Sequence, residues 1–97
     1  MNLLHAAALA LVGWYLMIPP PNFSGHSHVD LDAPLSKWTV YDAYDRSDDC
    51  NQAYLDENKI AQQKEAANPS DEKAVIQAHQ LLNAQCIATD DPRLKGN

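Results

Sequence analysis

The sequence predicts an all-α chain: a short N-terminal transmembrane helix over residues 1–18, a proline-rich extended linker over 19–37, and a disulfide-stapled antiparallel helical hairpin over 38–97. Three observations predict it. Leu3–Ile18 is an apolar run with His5 as its only polar residue, Pro19-Pro20-Pro21 follows directly, and Cys50 and Cys86 stand 19 residues before and 17 residues after Pro69. Two helical arms rising about 1.5 Å per residue from a turn at Pro69 return those sulfurs to one level, close enough to bridge.

As a helix the apolar run spans about 24 Å, short of a hydrocarbon core of about 30 Å. No Lys or Arg precedes it, so the basic start of a cleaved signal is missing, and Ala6, Ala8 and Ala10 come too early for a cleavage site. Trp14 and Tyr15 are the residue types that gather at a membrane interface, and the three prolines end the helix just beyond them. The favoured reading is an uncleaved single-pass anchor, with a cleaved signal and a soluble helix as alternatives. Disulfides persist in oxidising compartments. The reading therefore places the chain in a bacterial inner membrane with its C-terminal part in the periplasm. His5, an ionisable residue in apolar surroundings, is a weak candidate ligand for a pigment or haem. It also lies close enough to the terminus to snorkel to the headgroups.

Residues 19–34 read PPPNFSGHSHVDLDAP, a composition that favours polyproline and turn conformations. His26, His28, Asp30 and Asp32 alternate, so in an extended strand all four project to one side. Two imidazoles and two carboxylates suit zinc or copper, making these weak metal candidates, while a solvated polar face explains the same pattern. Trp38, Val40, Tyr41 and Tyr44 follow as the largest apolar concentration outside the anchor. They are expected to cap the open end of the hairpin, since a strand over Trp38–Tyr41 has no evident sheet to join. Phe23, Trp38, Tyr41 and Tyr44 are also the candidate partner-binding residues, because aromatic side chains are favoured interface anchors.

In the hairpin, Asp45 is the expected N-cap of a helix running to about Ala67, with Asp48 and Asp49 at the positive end of its dipole. Asn68-Pro69-Ser70-Asp71 ends that helix and starts the next, with Asn68 as cap and Pro69 at the first position. The second helix continues to about Ala88, where Asp90-Asp91-Pro92 stops it. Equal heights then pair Tyr54 with Leu82, Glu57 with His79, Ala61 with Val75 and Lys64 with Glu72. The seam is thin in large side chains, which leaves Leu55, Ile76, Leu81 and Ile87 without cover and points to a neighbour. A domain of this size has a small core, so the cross-link matters: closing the 50-to-86 loop is worth roughly 3 to 4 kcal/mol.

The chemistry these residues exclude is as informative. Seven Lys and Arg against thirteen Asp and Glu give a net charge of −6, which repels phosphate backbones and argues against nucleic acid. The cysteines form no C-x-x-C, so redox catalysis has no motif. Glu57 and His79 are an acid/base pair without a nucleophile or an enclosing cleft, and read as an exposed ion pair. Asp90 and Asp91 read as an exposed acidic turn. No catalytic residue and no cofactor is assigned.

Three segments together carry a resemblance: Trp14-Tyr15-Leu16-Met17 followed by prolines; Ala33-Pro34-Leu35-Ser36 with Trp38; and the closing Cys86-Ile87-Ala88-Thr89-Asp90-Asp91-Pro92-Arg93-Leu94-Lys95. Over most of its length the chain resembles small uncharacterised exported or membrane-anchored bacterial proteins with this start and this two-cysteine end. The resemblance implies an envelope location and supplies no activity or site residues. The functional expectation is a non-catalytic accessory subunit docking on the periplasmic face of a larger membrane protein complex, by analogy a photosynthetic or respiratory one. The alternative is a free exported envelope protein that binds a metal or small ligand through His26, His28, Asp30 and Asp32.

Overall fold

A computed structural model describes residues 13–95. It is mixed α/β, which corrects the all-α expectation. In chain order the elements are β1 (Trp14–Ile18), a small hairpin of β2 (Pro21–Asn22) and β3 (His28–Val29), a 3₁₀ turn at Leu35–Lys37, β4 (Thr39–Tyr44), α1 (Ser47–Ala67), α2 (Glu72–Leu82), β5 (Gln85–Ala88) and a second 3₁₀ turn at Pro92–Lys95. β4, β1 and β5 form an antiparallel sheet in that order, so the N-terminal strand lies in the middle.

The segment read as the end of a membrane helix is therefore the central strand. Its side chains alternate between two small cores. Trp14, Leu16 and Ile18 pack with Cys50, Ala84, Tyr44, Tyr54 and Cys86 on the helix side. Tyr15 and Met17 pack with Leu35, Ile87, Trp38 and Leu94 on the side covered by the two 3₁₀ turns. A strand buried on both faces reads as an unbroken apolar run, as an anchor does, because neither face must be polar. Among the described residues no helix is long and apolar enough to cross a membrane. The transmembrane helix over residues 1–18 and the single-pass inner-membrane placement built on it are corrected accordingly. Trp14 and Tyr15 are sheet residues here, whereas His5 and the rest of residues 1–12 lie outside the described residues.

Gly13 fixes where the sheet begins. Its N–H donates to Thr89 Oγ1 at 3.0 Å and its carbonyl accepts from the Thr89 N–H at 2.9 Å. A Cβ at this position would lie 2.8 Å from the Tyr44 carbonyl oxygen, so only glycine lets β1 approach β4 this closely. Between Leu16↔Asp42 and Met17↔Val40 the register shifts, leaving Tyr41 as the extra residue of a bulge.

The helical pair exists, with different bounds. Arg46 occupies the N-cap of α1 without a side-chain cap, and Asp48 and Asp49 sit in the first turn as expected. Asn68 caps the C-terminus of α1, its N–H bonded to the Lys64 and Glu65 carbonyls. Asp71 is the N-cap of α2, its carboxylate accepting from the Ala74 N–H at 3.2 Å. Helix α2 stops at Leu82, six residues short of the expected end, because the Cys86 segment pairs with β1 instead. The wider turn also shifts the pairing: His79 meets Glu65 rather than Glu57, and Asn58 donates to the Leu81 carbonyl at 3.5 Å. Ile76 and Ile87, expected to lack cover, are buried.

The Cys50–Cys86 disulfide forms as the sequence predicts, with Cα atoms 6.1 Å apart. It joins the first turn of α1 to strand β5, not helix to helix. The stapled hairpin is thus a sheet bolted to the start of a helical pair.

Candidate interaction surface

Strand β4 lies at the edge of the sheet, and among the described residues no strand pairs with its outer side. All of its residues but Tyr44 are exposed. An edge strand offers a row of backbone donors and acceptors that another chain can use. The bulge at Tyr41 and the local bond from the Ala43 N–H to Asp42 Oδ1, 2.8 Å, restrict which chains can pair with it.

The tyrosines of β4 are held by carboxylates. Tyr41 Oη donates to Glu57 Oε2 at 3.2 Å, and Tyr44 Oη donates to Asp42 Oδ2 at 3.3 Å. Burial, then the charge of Glu57 and the bond to it, raise the Tyr41 hydroxyl above its ordinary value. Burial, then Asp42, do the same for Tyr44. Both therefore stay neutral donors at physiological pH. Val40 and Tyr41 expose large apolar surface beside these acids, and Ile60, one turn beyond Glu57 on α1, adds to it. The result is an apolar strip edged by negative charge.

Behind this strip a groove of about 350 Å³ opens between α1, α2 and the ends of β1 and β4. Its floor is Ile18, Ala61, Ala74, Ala78 and Leu81. Tyr41 stands at one end, Lys64 and Asn68 at the other, and Gln77 and Gln80 complete the rim. Gln80 Nε2 donates to the Pro19 carbonyl at 2.9 Å, which ties the end of β1 to α2.

The remaining predicted site residues are dispersed. Phe23 is exposed in the β2–β3 hairpin. Trp38 is half-buried against the second core, its indole N–H donating to the Ala33 carbonyl at 3.0 Å. His26, His28, Asp30 and Asp32 do not share a strand face, since only His28–Val29 is extended. His28 Nδ1 lies 2.7 Å from the His26 carbonyl oxygen, and Asp30 Oδ1 accepts from the Asp32 N–H at 3.1 Å. Ser27 Oγ bonds Glu72, attaching this hairpin to α2. Among the described residues no three His, Cys, Asp or Glu side chains come together as a metal site.

The sequence reading missed the groove altogether. Its signal is the alanine content of the facing helices: Ala61 and Ala78 belong to the thin seam, and Ala74 adds a small residue one turn before Ala78. No family model, curated protein or solved structure matches this chain.

Proposed function

We propose that this protein is a non-catalytic docking module, stabilised by its disulfide, that attaches to a larger protein assembly along the β4 edge. The observation that carries the reading is the conjunction at that edge of strand backbone unpaired among the described residues, exposed Val40 and Tyr41, and the carboxylates of Asp42 and Glu57. Apolar side chains supply contact area, and the acids favour a partner with basic residues around the contact. The accessory role expected from the sequence is kept, and its membrane anchor is dropped. Membrane-bound energy-transducing complexes are the first assemblies to assay.

The polar groups nearest the strip support binding more than reaction. Glu57 is engaged by Tyr41, and His79 is paired with Glu65 at 2.6 Å. The alternative, a metal or small-ligand site at His26, His28, Asp30 and Asp32, has no supporting observation because the four side chains are spread along a turn.

Native gel electrophoresis of mild-detergent extracts, followed by mass spectrometry, tests the proposal. The protein should migrate with a larger complex, and Val40→Asp, on the exposed strip, should release it while the free chain stays folded. Migration as a 10.7 kDa monomer from intact extracts would refute it.

A further inference from the structure

The groove behind β4 carries an inference independent of the docking reading. Its volume of about 350 Å³ lies within the range of small-molecule sites. Half-buried Ile18, Ala74 and Leu81 give the groove its accessible apolar lining, while Ala61 and Ala78, 0% and 3% exposed, lie beneath it.

The groove is also polarised. Tyr41, bonded to Glu57, marks one end, and Lys64 and Asn68 mark the other. Along α1 the lining runs from Ala61 to Asn68, a rise of about 10 Å, which sets the length of chain the groove can take. Lys64 is the only charged side chain among the lining residues, and it takes part in no ion pair among the described residues. The neighbouring Glu65 is already engaged by His79 Nε2 at 2.6 Å. The net charge of −6 opposes an anion only weakly at this site, because screening at physiological salt reduces interactions beyond about 8 Å.

We propose that this groove binds a single-chain, medium-length fatty carboxylate, with its alkyl tail against Ile18, Ala74 and Leu81 and its carboxylate on the Lys64 ammonium. The lysine stem continues the apolar wall while its head group reaches the solvent end, as expected for a side chain that is apolar along its length and charged at its tip. A neutral chain of equal length gains only the floor. A cationic chain meets Lys64 as a like charge.

Calorimetric titration of the full, oxidised chain with decanoate and decyltrimethylammonium below their micelle thresholds, and with decanol below its solubility limit, reads these terms separately. Decanoate should bind at one saturable site, about tenfold more tightly than decanol, and decyltrimethylammonium should show no saturable heat. Lys64→Gln should bring decanoate down to the level of decanol. Ala74→Leu, at the half-buried side of the floor, should weaken both, with unchanged far-ultraviolet dichroism showing that the fold is retained. The proposal is overturned if decanoate and decanol bind the natural chain equally, if decanoate gives no saturable heat, or if Lys64→Gln leaves decanoate affinity unchanged.

Discussion

Leu16→Ala distinguishes a central strand from the end of an anchor. Leu16 is 0% exposed and packs at the centre of the helix-side core against Cys50 and Ala84, with Trp14, Ile18, Tyr44 and Tyr54 around them. Truncating a leucine at such a site removes buried apolar surface and leaves a cavity, with a cost of about 2 to 5 kcal/mol. For a domain of this size a loss of about 3 kcal/mol lowers the melting temperature by roughly 12 to 24 °C. Leu55 provides the internal control, because it is 58% exposed and Leu55→Ala should change stability by less than about 0.5 kcal/mol. Urea unfolding of the oxidised variants, followed by tryptophan fluorescence, measures both. If Leu16→Ala and Leu55→Ala have the same midpoint, the placement of β1 between β4 and β5 is wrong.

Other outcomes follow from the same structure. Removing the disulfide by Cys50→Ser with Cys86→Ser should destabilise the protein by roughly 3 to 4 kcal/mol, read in the same urea titration. Gly13→Ala forces a Cβ to within 2.8 Å of the Tyr44 carbonyl and should lower stability by about 1 to 3 kcal/mol, with faster amide exchange along β1 and β4. Tyr41 has a raised folded pKa, so its contribution is complete below the unfolded value near 10 and is lost as pH rises through the folded value. Glu57→Gln should move Tyr41 back toward that ordinary value in a phenolate absorbance titration. His79→Ala removes a half-exposed pair with Glu65 and should change stability by less than about 1 kcal/mol.

What was legible in the sequence was local. The acidic first turn of α1, the break at Asn68–Asp71 and the cysteine pair all depend on residues close in the chain or on symmetric spacing about one turn. The symmetric spacing predicts the Cys50–Cys86 bond through the wrong partner element, since Cys86 reaches Cys50 from a strand and not from a second helix. The sheet was not legible because its central strand pairs with segments far along the chain: Leu16 with Asp42 on one side and with Cys86 on the other. Trp38–Tyr41 is a strand without an evident sheet only as long as Trp14–Ile18 is read as the end of a membrane helix. The same long-range pairing ended α2 at Leu82, where Gln85-Cys86-Ile87-Ala88 gained more from β1 than from further helical turns. Of the candidate residues, Tyr41 and Tyr44 lie on the edge strand β4, Tyr41 exposed and Tyr44 half-buried, and do not cap a helical hairpin, whereas the His26–Asp32 alternation lost its common face to a turn.

The central claim is that residues 14–18 form the middle strand of a sheet that the disulfide fastens to α1. A nuclear Overhauser spectrum of the oxidised full chain tests it most directly. Cross-strand contacts from Leu16 to both Asp42 and Cys86 are predicted; helical contacts from Trp14 to Met17, with no contact to either partner, would contradict the account.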